Sequence, residues 1–342
     1  MSSPRYSLVI PVYNEQETIR ELHARVSAVL AGLDGDSEVI VVDDASDDAT
    51  YPLLVDDGST DATPALLAEL ERRDERFRAV RLSRNFGHQI AITAGIDAAR
   101  GEAIVVLDGD LQDPPEVIPQ LVARWREGYD VVYGVRVRRG GEGWLKRVTA
   151  SLYYRFLRRA AETDVPVDAG DFRLIDRRVA DVFRALPERN RYVRGMFAWL
   201  GYRQVGVPYE RQERFAGTRK YSFAQSLKLA IDGLVSFSTA PLRLVLALGF
   251  AIAAVSFLVG LFAVGARIGG LYATPGWASI LLVVSFLGGM QLTLVGVVGV
   301  YVGRMYDELK GRPLYVVSEA HGLAADEDRE LVRDAVRPGG DA

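Results

Sequence analysis

Short apolar runs alternate with amphipathic stretches through the first part of the chain. Residues 6–11 are apolar without alternation, the pattern of a strand buried on both faces. Residues 14–33 have helical periodicity, with Ile19, Leu22, Val26, Val29, Leu30 and Leu33 on one side. The same reading predicts strands at 38–42, running into Asp43 and Asp44, at 77–82, at 103–107, ending at Asp108, and at 130–134. Helices are predicted at 63–73, with Thr60 or Asp61 near the start and Pro64 in the first turn, at 88–99, closed by Gly101, and at 115–127. Strands alternating with helices imply an α/β domain with a mainly parallel sheet. Ligands of such sheets bind beyond the carboxyl ends of the strands, which is where the acidic clusters fall.

The last third changes character. Residues 244–266 carry no charge between Arg243 and Arg267, and residues 268–303 carry none before Arg304. A spanning helix needs roughly 20 apolar residues. Pro275 and Gly276 suit a turn, so a hairpin of two transmembrane helices is predicted, near 243–265 and 278–302. Lys228, Arg243, Arg304, Lys310 and Arg312 flank the outer ends, which by the positive-inside rule places both termini in the cytoplasm. The organisation expected is a catalytic domain at 1–220, an interfacial amphipathic helix at 221–240, two spans within 241–303, and a cytoplasmic tail at 304–342 that is mobile from about 318.

Composition narrows the chemistry. The chain has no cysteine, which excludes disulfides, zinc–thiolate sites and cysteine nucleophiles. Its histidines, His23, His88 and His321, lack the spacing of a zinc site, so any metal should be a hard cation held by carboxylates. A net charge of −4 argues against nucleic acid as a partner.

The strongest local signal is Leu107-Asp-Gly-Asp-Leu-Gln-Asp-Pro-Pro115, in which Asp108 and Asp110 directly follow a strand and can face one divalent cation. Asp113, ahead of two prolines, also suits a helix cap. Pro11-Val-Tyr-Asn-Glu15 follows the first strand; Tyr13 can cover a base and Glu15 reach a ribose, or the segment is simply a helix start. An acidic segment occurs twice, as Val42-Asp-Asp-Ala-Ser-Asp-Asp and Val55-Asp-Asp-Gly-Ser-Thr-Asp, an offset of 13 residues. Only one copy can fill a pocket; its distance from Pro11 favours the first, with Asp43 and Asp44, while the second, with Asp57 and Gly58, leaves an excursion. Between 132 and 160 lie Arg136, Arg138, Arg139, Lys146, Arg147, Arg155, Arg158 and Arg159, interleaved with aromatic and apolar residues. That reads as a helix resting on an anionic membrane surface. Arg147 and Ser151 share a helical face and, with Arg136, can hold a lipid phosphate; a solvated anchoring face is the plainer alternative. Asp171 sits beside a turn, as a general base or as a group orienting the acceptor or Arg173. The basic loop 214–220, with Arg214 and Lys220, can close over a phosphate or anchor the domain.

Taken together, Pro11–Glu15, the 55–61 segment, Leu82-Ser-Arg-Asn-Phe-Gly-His88, the 108–115 run and Gly170-Asp-Phe-Arg-Leu174 resemble family 2 glycosyltransferases of the polyprenyl-phosphate type. Dolichol-phosphate mannose synthase and bacterial polyprenyl-phosphate glucosyltransferases are of this kind. The resemblance covers about residues 5–315 and departs from the family in the duplicated segment. It implies a GT-A fold (Rossmann-like, mainly parallel sheet) followed by the transmembrane hairpin, and an inverting hexose transfer from a UDP- or GDP-sugar to a polyprenyl phosphate (undecaprenyl, decaprenyl or dolichyl). It also implies Mg2+ or Mn2+ at Asp108, Asp110 and Gln112. By the same similarity Asp110 and Asp171 are catalytic; Pro11, Tyr13, Glu15, Asp108, Gln112 and either Asp44 or Asp57 bind the nucleotide-sugar; Arg136, Arg147, Ser151, Arg214 and Lys220 meet the lipid phosphate. The partners are then the donor, the lipid, the membrane and, compatibly, a second copy of the chain. A processive polysaccharide synthase is disfavoured because Gln120 stands at the wrong spacing from Arg124-Trp125. A membrane-tethered nucleotide-binding or scaffold protein without turnover is the rival from another class.

Overall fold

A computed structural model describes residues 4–48, 50, 74, 76–137, 169–213, 240–269 and 276–322. The predicted helix at 63–73, the second acidic copy with Asp57, the basic stretch from 138 with Arg147 and Ser151, the loop with Arg214 and Lys220 and the interfacial helix lie outside the described residues. The chain divides into two units; the described part of the second is 240–269 and 276–310.

The first unit is an α/β domain. Its elements are β1 (Tyr6–Val12), α1 (Ile19–Ala31), β2 (Ser37–Asp43), β3 (Phe77–Leu82), α2 (His88–Ala98), β4 (Ala103–Val106), a 3-10 turn (Pro115–Val117), α3 (Ile118–Arg126), β5 (Val131–Arg136), β6 (Ala169–Asp176), α4 (Arg177–Ala185), α5 (Val193–Trp199), β7 (Gln204–Tyr209) and β8 (Val317–His321). They form one sheet of order β7-β5-β6-β4-β1-β2-β3-β8. The chain steps from β1 to β2 and β3 on one side, then returns to place β4 on the other side of β1. The switch point therefore lies between β1 and β4, the position where such sheets open a crevice.

Side chains alternate across the sheet. Leu8 and Ile10 pack with Ile19, Leu22, Val26 and Leu30 of α1 and with Ile118, Leu121 and Val122 of α3. On the opposite face Val9 and Val42 lie under α2, where a Cβ on Gly95 would come 2.2 Å from Val9 Cγ1. Predicted helix 14–33 begins only at Ile19, because Asn14 has φ 52° and the left-handed region does not continue a right-handed helix.

The sheet is mainly parallel as expected, but mixed: β4-β1-β2-β3 and β5-β7 pair in parallel, while β6 runs antiparallel between β4 and β5, and β8 antiparallel to β3. Asp171, expected beside a turn, lies within β6; Phe172 and Leu174 join the core while Asp171 and Arg173, also buried, face the other way, Arg173 donating to the backbone oxygens of Gly170 and Asp171. Of the tail expected to be mobile from about 318, residues 318–321 belong to β8 and those beyond 322 lie outside the described residues; before β8 the buried Tyr315 donates to Asp97 at 3.0 Å.

The second unit contains α6 (Ala240–Ile268) and α7 (Trp277–Leu309). Within α7, the 24 residues Phe286–Leu309 are long and apolar enough to cross a membrane; at 1.5 Å per residue they extend about 36 Å, against a hydrocarbon core of about 30 Å. The described apolar stretch of α6 is the shorter Val245–Val259. Phe257 and Leu292 are more than 70% exposed to water, a state large apolar side chains leave when another phase is available.

The close seating of α2 yields a test. Gly95→Ala should lower stability by roughly 1–3 kcal/mol through overpacking, read as a fall in thermal midpoint, and Val9→Ala in the same chain should restore part of it.

Candidate active site

Four loops leave the carboxyl ends of β1 to β4, and among the described residues each shows one with positive φ: Asn14 at 52°, Ala45 at 57°, Gly87 at 99° and Leu111 at 58°. Non-glycine residues in that region cost on the order of 1 kcal/mol or more each and persist where surrounding contacts fix them. Those contacts are visible. Asn14 N–H donates to Ser46 Oγ (2.9 Å), Asn14 Oδ1 accepts from Asp47 N–H (2.9 Å), and Glu15 N–H donates to Thr50 Oγ1 (2.8 Å). The first acidic copy is thus stitched to the β1 loop, with Tyr13 OH 3.5 Å from Asp47. Pro11 is buried within β1, and Glu15 is half-buried.

Asp43 and Asp44 are turned inward. Asp43 accepts from Ser46 and meets Arg81 Nε at 3.4 Å. Asp44 accepts from the backbone N–H of Phe86 (2.7 Å) and Gly87 (2.8 Å), fixing the turn that starts α2. Burial raises both carboxyls, and these hydrogen bonds work against it. Asp44 therefore shapes the loop at the start of α2, with both oxygens already engaged.

The β4 loop lies on the end of β1, since a Cβ on Gly109 would fall 2.7 Å from Val12 Cγ1 and 3.2 Å from Pro11 O. Asp108 Oδ1 is buried there and accepts no hydrogen bond. His88 Nε2, at the start of α2, is 3.4 Å from Asp108 Oδ1 and 3.4 Å from Asp171 Oδ2. Asp171 in turn receives Arg194 Nε at 2.9 Å, Arg194 Nη2 at 3.1 Å and Gln89 Nε2 at 3.2 Å. Gln89 Oε1 also accepts from Val193 N–H (3.0 Å), tying α2 to α5.

The electrostatics follow from this chain of charges. Burial alone would raise Asp171, but Arg194 and His88 hold it well below the usual carboxylate range. A carboxylate so held is a weak proton acceptor, which counts against the general-base expectation. Burial opposes the charge of His88, yet Asp108 and Asp171 carry it up to about 9. Asp108 is raised to about 6, by burial first and then by Asp113, Asp171 and Asp110 against the pull of His88. Arg173, buried beside them, is lowered to about 10 by desolvation.

A buried carboxylate oxygen without a donor, in a crowd of like charge, fits a hard divalent cation. Among the described residues no three acidic or histidine side chains converge as a complete metal cage. Magnesium-type ions are commonly held by one or two carboxylates plus substrate phosphates, so Asp108 and Asp110 suffice. Gln112 departs from the expected ligand set. Its Oε1 accepts from Arg211 Nη2 at 2.6 Å, while its N–H donates to Asp110 Oδ1 at 3.1 Å. Asp113 is no helix cap either: fully buried, it accepts from Arg136 Nη2 at 3.2 Å and from Tyr209 OH.

His88, Gln89 and Arg194 were missed in reading the sequence. His88 and Gln89 had a signal, since they close the 82–88 segment at a helix start; Arg194 had none, because only the fold brings α5 to β6.

An acidic Asp-x-Asp loop thus lies at the switch point of a mixed α/β sheet, beside a second acidic loop at β2. The profile of glycosyl transferase family 2 matches residues 7–54 and again 52–183, and the chain belongs to that family. The match restarts inside the tandem acidic segment. Similar proteins include Uncharacterized glycosyltransferase YkcC of Bacillus subtilis, 42% identical over 96% of this chain and 97% of its own. Uncharacterized glycosyltransferase sll0501 of Synechocystis is 43% identical over 93% and 96%, and the Bactoprenol glucosyl transferase of Shigella phage SfII 36% over 93% and 98%. Glucosyl-3-phosphoglycerate synthase from Mycobacterium tuberculosis, solved with Mn2+, UDP and phosphoglyceric acid, is 21% identical, covers 68% of this chain and 78% of that one, and superposes with a TM-score of 0.47, a likeness too distant to inform the chemistry.

The His88 geometry has a pH signature. Its folded pKa, about 9, lies above the ordinary 6.5, so protonation stabilises the fold. That contribution is complete below pH 6.5 and is lost as pH rises through about 9. In metal-free protein, the gap in thermal midpoint between the wild type and His88→Gln should be present at the acid end and closed at the alkaline end.

Proposed function

We propose that this glycosyltransferase moves a hexose, with inversion, from a UDP- or GDP-sugar to a polyprenyl phosphate at the cytoplasmic face of a membrane. The observation that carries this reading is the Asp108–Asp110 loop at the switch point, with Asp108 Oδ1 buried and unbonded. The acceptor class is supported by the relative named bactoprenol glucosyl transferase, which aligns over 93% of this chain, and by the long apolar α7.

In this reading Asp108 and Asp110 hold Mg2+ or Mn2+, which neutralises the donor's departing diphosphate. Tyr13 and Glu15, with the Asp43–Asp48 loop, line the nucleoside side. Arg136 receives the acceptor phosphate, joined by Arg147 and Ser151, while Arg214 and Lys220 close from the juxtamembrane loop. The phosphate oxygen forms its bond to the anomeric carbon as the bond to the diphosphate breaks on the opposite face. A phosphate is already ionised near neutral pH, so no base is required, consistent with the low basicity of Asp171. Asp171 then acts by fixing His88 against Asp108. The spans are assigned to 243–265 within α6 and 278–302 within α7, with both termini cytoplasmic. Residues 311–322 belong with the catalytic domain, through β8.

The test is organic-phase transfer by full-length protein in detergent, with polyprenyl phosphate and a panel of labelled UDP- and GDP-sugars. One donor should label the lipid, EDTA should abolish the label, and Asp110→Asn should reduce it by a factor on the order of a thousand, the scale of losing charge stabilisation in the transition state. Full activity of Asp110→Asn at saturating metal would sink the assignment.

A further inference from the structure

Arg136 does not stand alone at the end of β5. Its Nε donates to Tyr209 OH at 3.1 Å and its Nη2 to Asp113 Oδ2 at 3.2 Å, with Asp113 Oδ1 at 3.5 Å. Tyr209 OH also donates to Asp113 Oδ1, and Arg211 Nε lies 3.8 Å from the same oxygen. Asp113 is completely buried, whereas the Arg136 side chain keeps 29% of its surface. Nε and Nη2 form one edge of the guanidinium, and that edge is occupied.

The sheet is shaped to allow this. Gly134 of β5 and Gly170 of β6 carry no side chain where the two groups lie. A Cβ at 134 would meet Tyr209 Cε1 at 2.6 Å, and a Cβ at 170 would meet Arg136 Nη2 at 2.7 Å. The β5–β6 ladder shifts register between Tyr133 and Val135, at the first of these glycines. Tyr209 is braced edge-on by Phe172, with ring centroids 5.6 Å apart. Asp113 itself ends the loop that begins with Asp108 and Asp110, and Gln112 of that loop bonds Arg211 and Gln212 after β7.

We infer that Asp113 is a positioning residue for the acceptor: with Tyr209 it clamps one edge of Arg136 and presents the other edge to the lipid phosphate, anchoring this acceptor-side arginine to the loop that holds the donor's metal. Arg136 is then preorganised, and the acceptor loses little freedom of its partner on binding. The inference rests on the reading of Arg136 as an acceptor-phosphate ligand.

Kinetics of the full-length chain with UDP-glucose and undecaprenyl phosphate separate the two. Arg136→Ala should raise the KM for undecaprenyl phosphate. Asp113→Asn and Gly170→Ala should raise the same KM about tenfold, the effect of freeing a preorganised side chain. Tyr209→Phe should raise it less, and in all three the KM for UDP-glucose and the metal requirement should stay near wild type. Gly170→Ala pushes only on a flexible guanidinium, so together with Tyr209→Phe it decides the matter if Asp113→Asn fails to fold. An Arg136→Ala effect without any effect of the other three overturns the positioning role. A shift in metal requirement with Asp113→Asn, and none in acceptor KM, assigns Asp113 to the metal loop alone and overturns it too. An unchanged acceptor KM in Arg136→Ala overturns the underlying acceptor reading.

Discussion

Asp43, Asp44, Asp113 and Asp171 are buried at the carboxyl edge of one sheet, and taking a carboxylate out of water costs on the order of several kcal/mol unless charge and hydrogen bonds offset it. The first unit is built around meeting that constraint. Ser46 and Arg81 hold Asp43; backbone N–H groups at the start of α2 hold Asp44; Arg136 and Tyr209 hold Asp113; Arg194, Gln89 and His88 hold Asp171. Asp108 is the least compensated of the group: its buried Oδ1 accepts no hydrogen bond among the described residues and has the His88 imidazole beside it at 3.4 Å. A site left short of positive charge at its centre is one that a cation would complete.

Each compensation also fixes a loop. Asp44 pins the turn that carries His88, and Asp171 links α2, β6 and α5, so the position of His88 against Asp108 depends on three elements distant in sequence. Asp113 does the same for β5 and β7. Glycines permit the approaches: Gly109 sets the β4 loop on the end of β1, and Gly134 and Gly170 clear the sheet under Tyr209 and Arg136. Charge thus decides where the loops go, and the missing side chains decide how near they come.

Much of this was legible in the sequence. Apolar runs marked β1, β2, β4 and β5 because strands buried on both faces need no alternation, and Asp108 and Asp110 were recognisable because they follow one of them. β6 was not legible, since Asp171 and Arg173 look like turn residues until Arg194, sequence-remote, neutralises the first. β8 was hidden because a short strand with Ser318 and Glu319 gains its stability from the edge of β3 rather than from its own pattern. Nor were the partners of Gln112 and Asp113 legible: the motif showed polar residues beyond a strand, and only Arg211, Arg136 and Tyr209 reveal what each one holds. The tandem acidic copies posed a choice; in the first, Ser46 accepts from Asn14 N–H and Asp47 N–H donates to Asn14, and the second lies outside the described residues.

The most direct measurement is Mn2+ binding to the full-length protein followed by electron paramagnetic resonance, with wild type, Asp108→Asn and Asp44→Asn compared in the presence of UDP. The account predicts one bound ion in the wild type, its loss in Asp108→Asn and its retention in Asp44→Asn. Undiminished binding in Asp108→Asn would contradict the claim that the carboxylate at the switch point is the centre of the site.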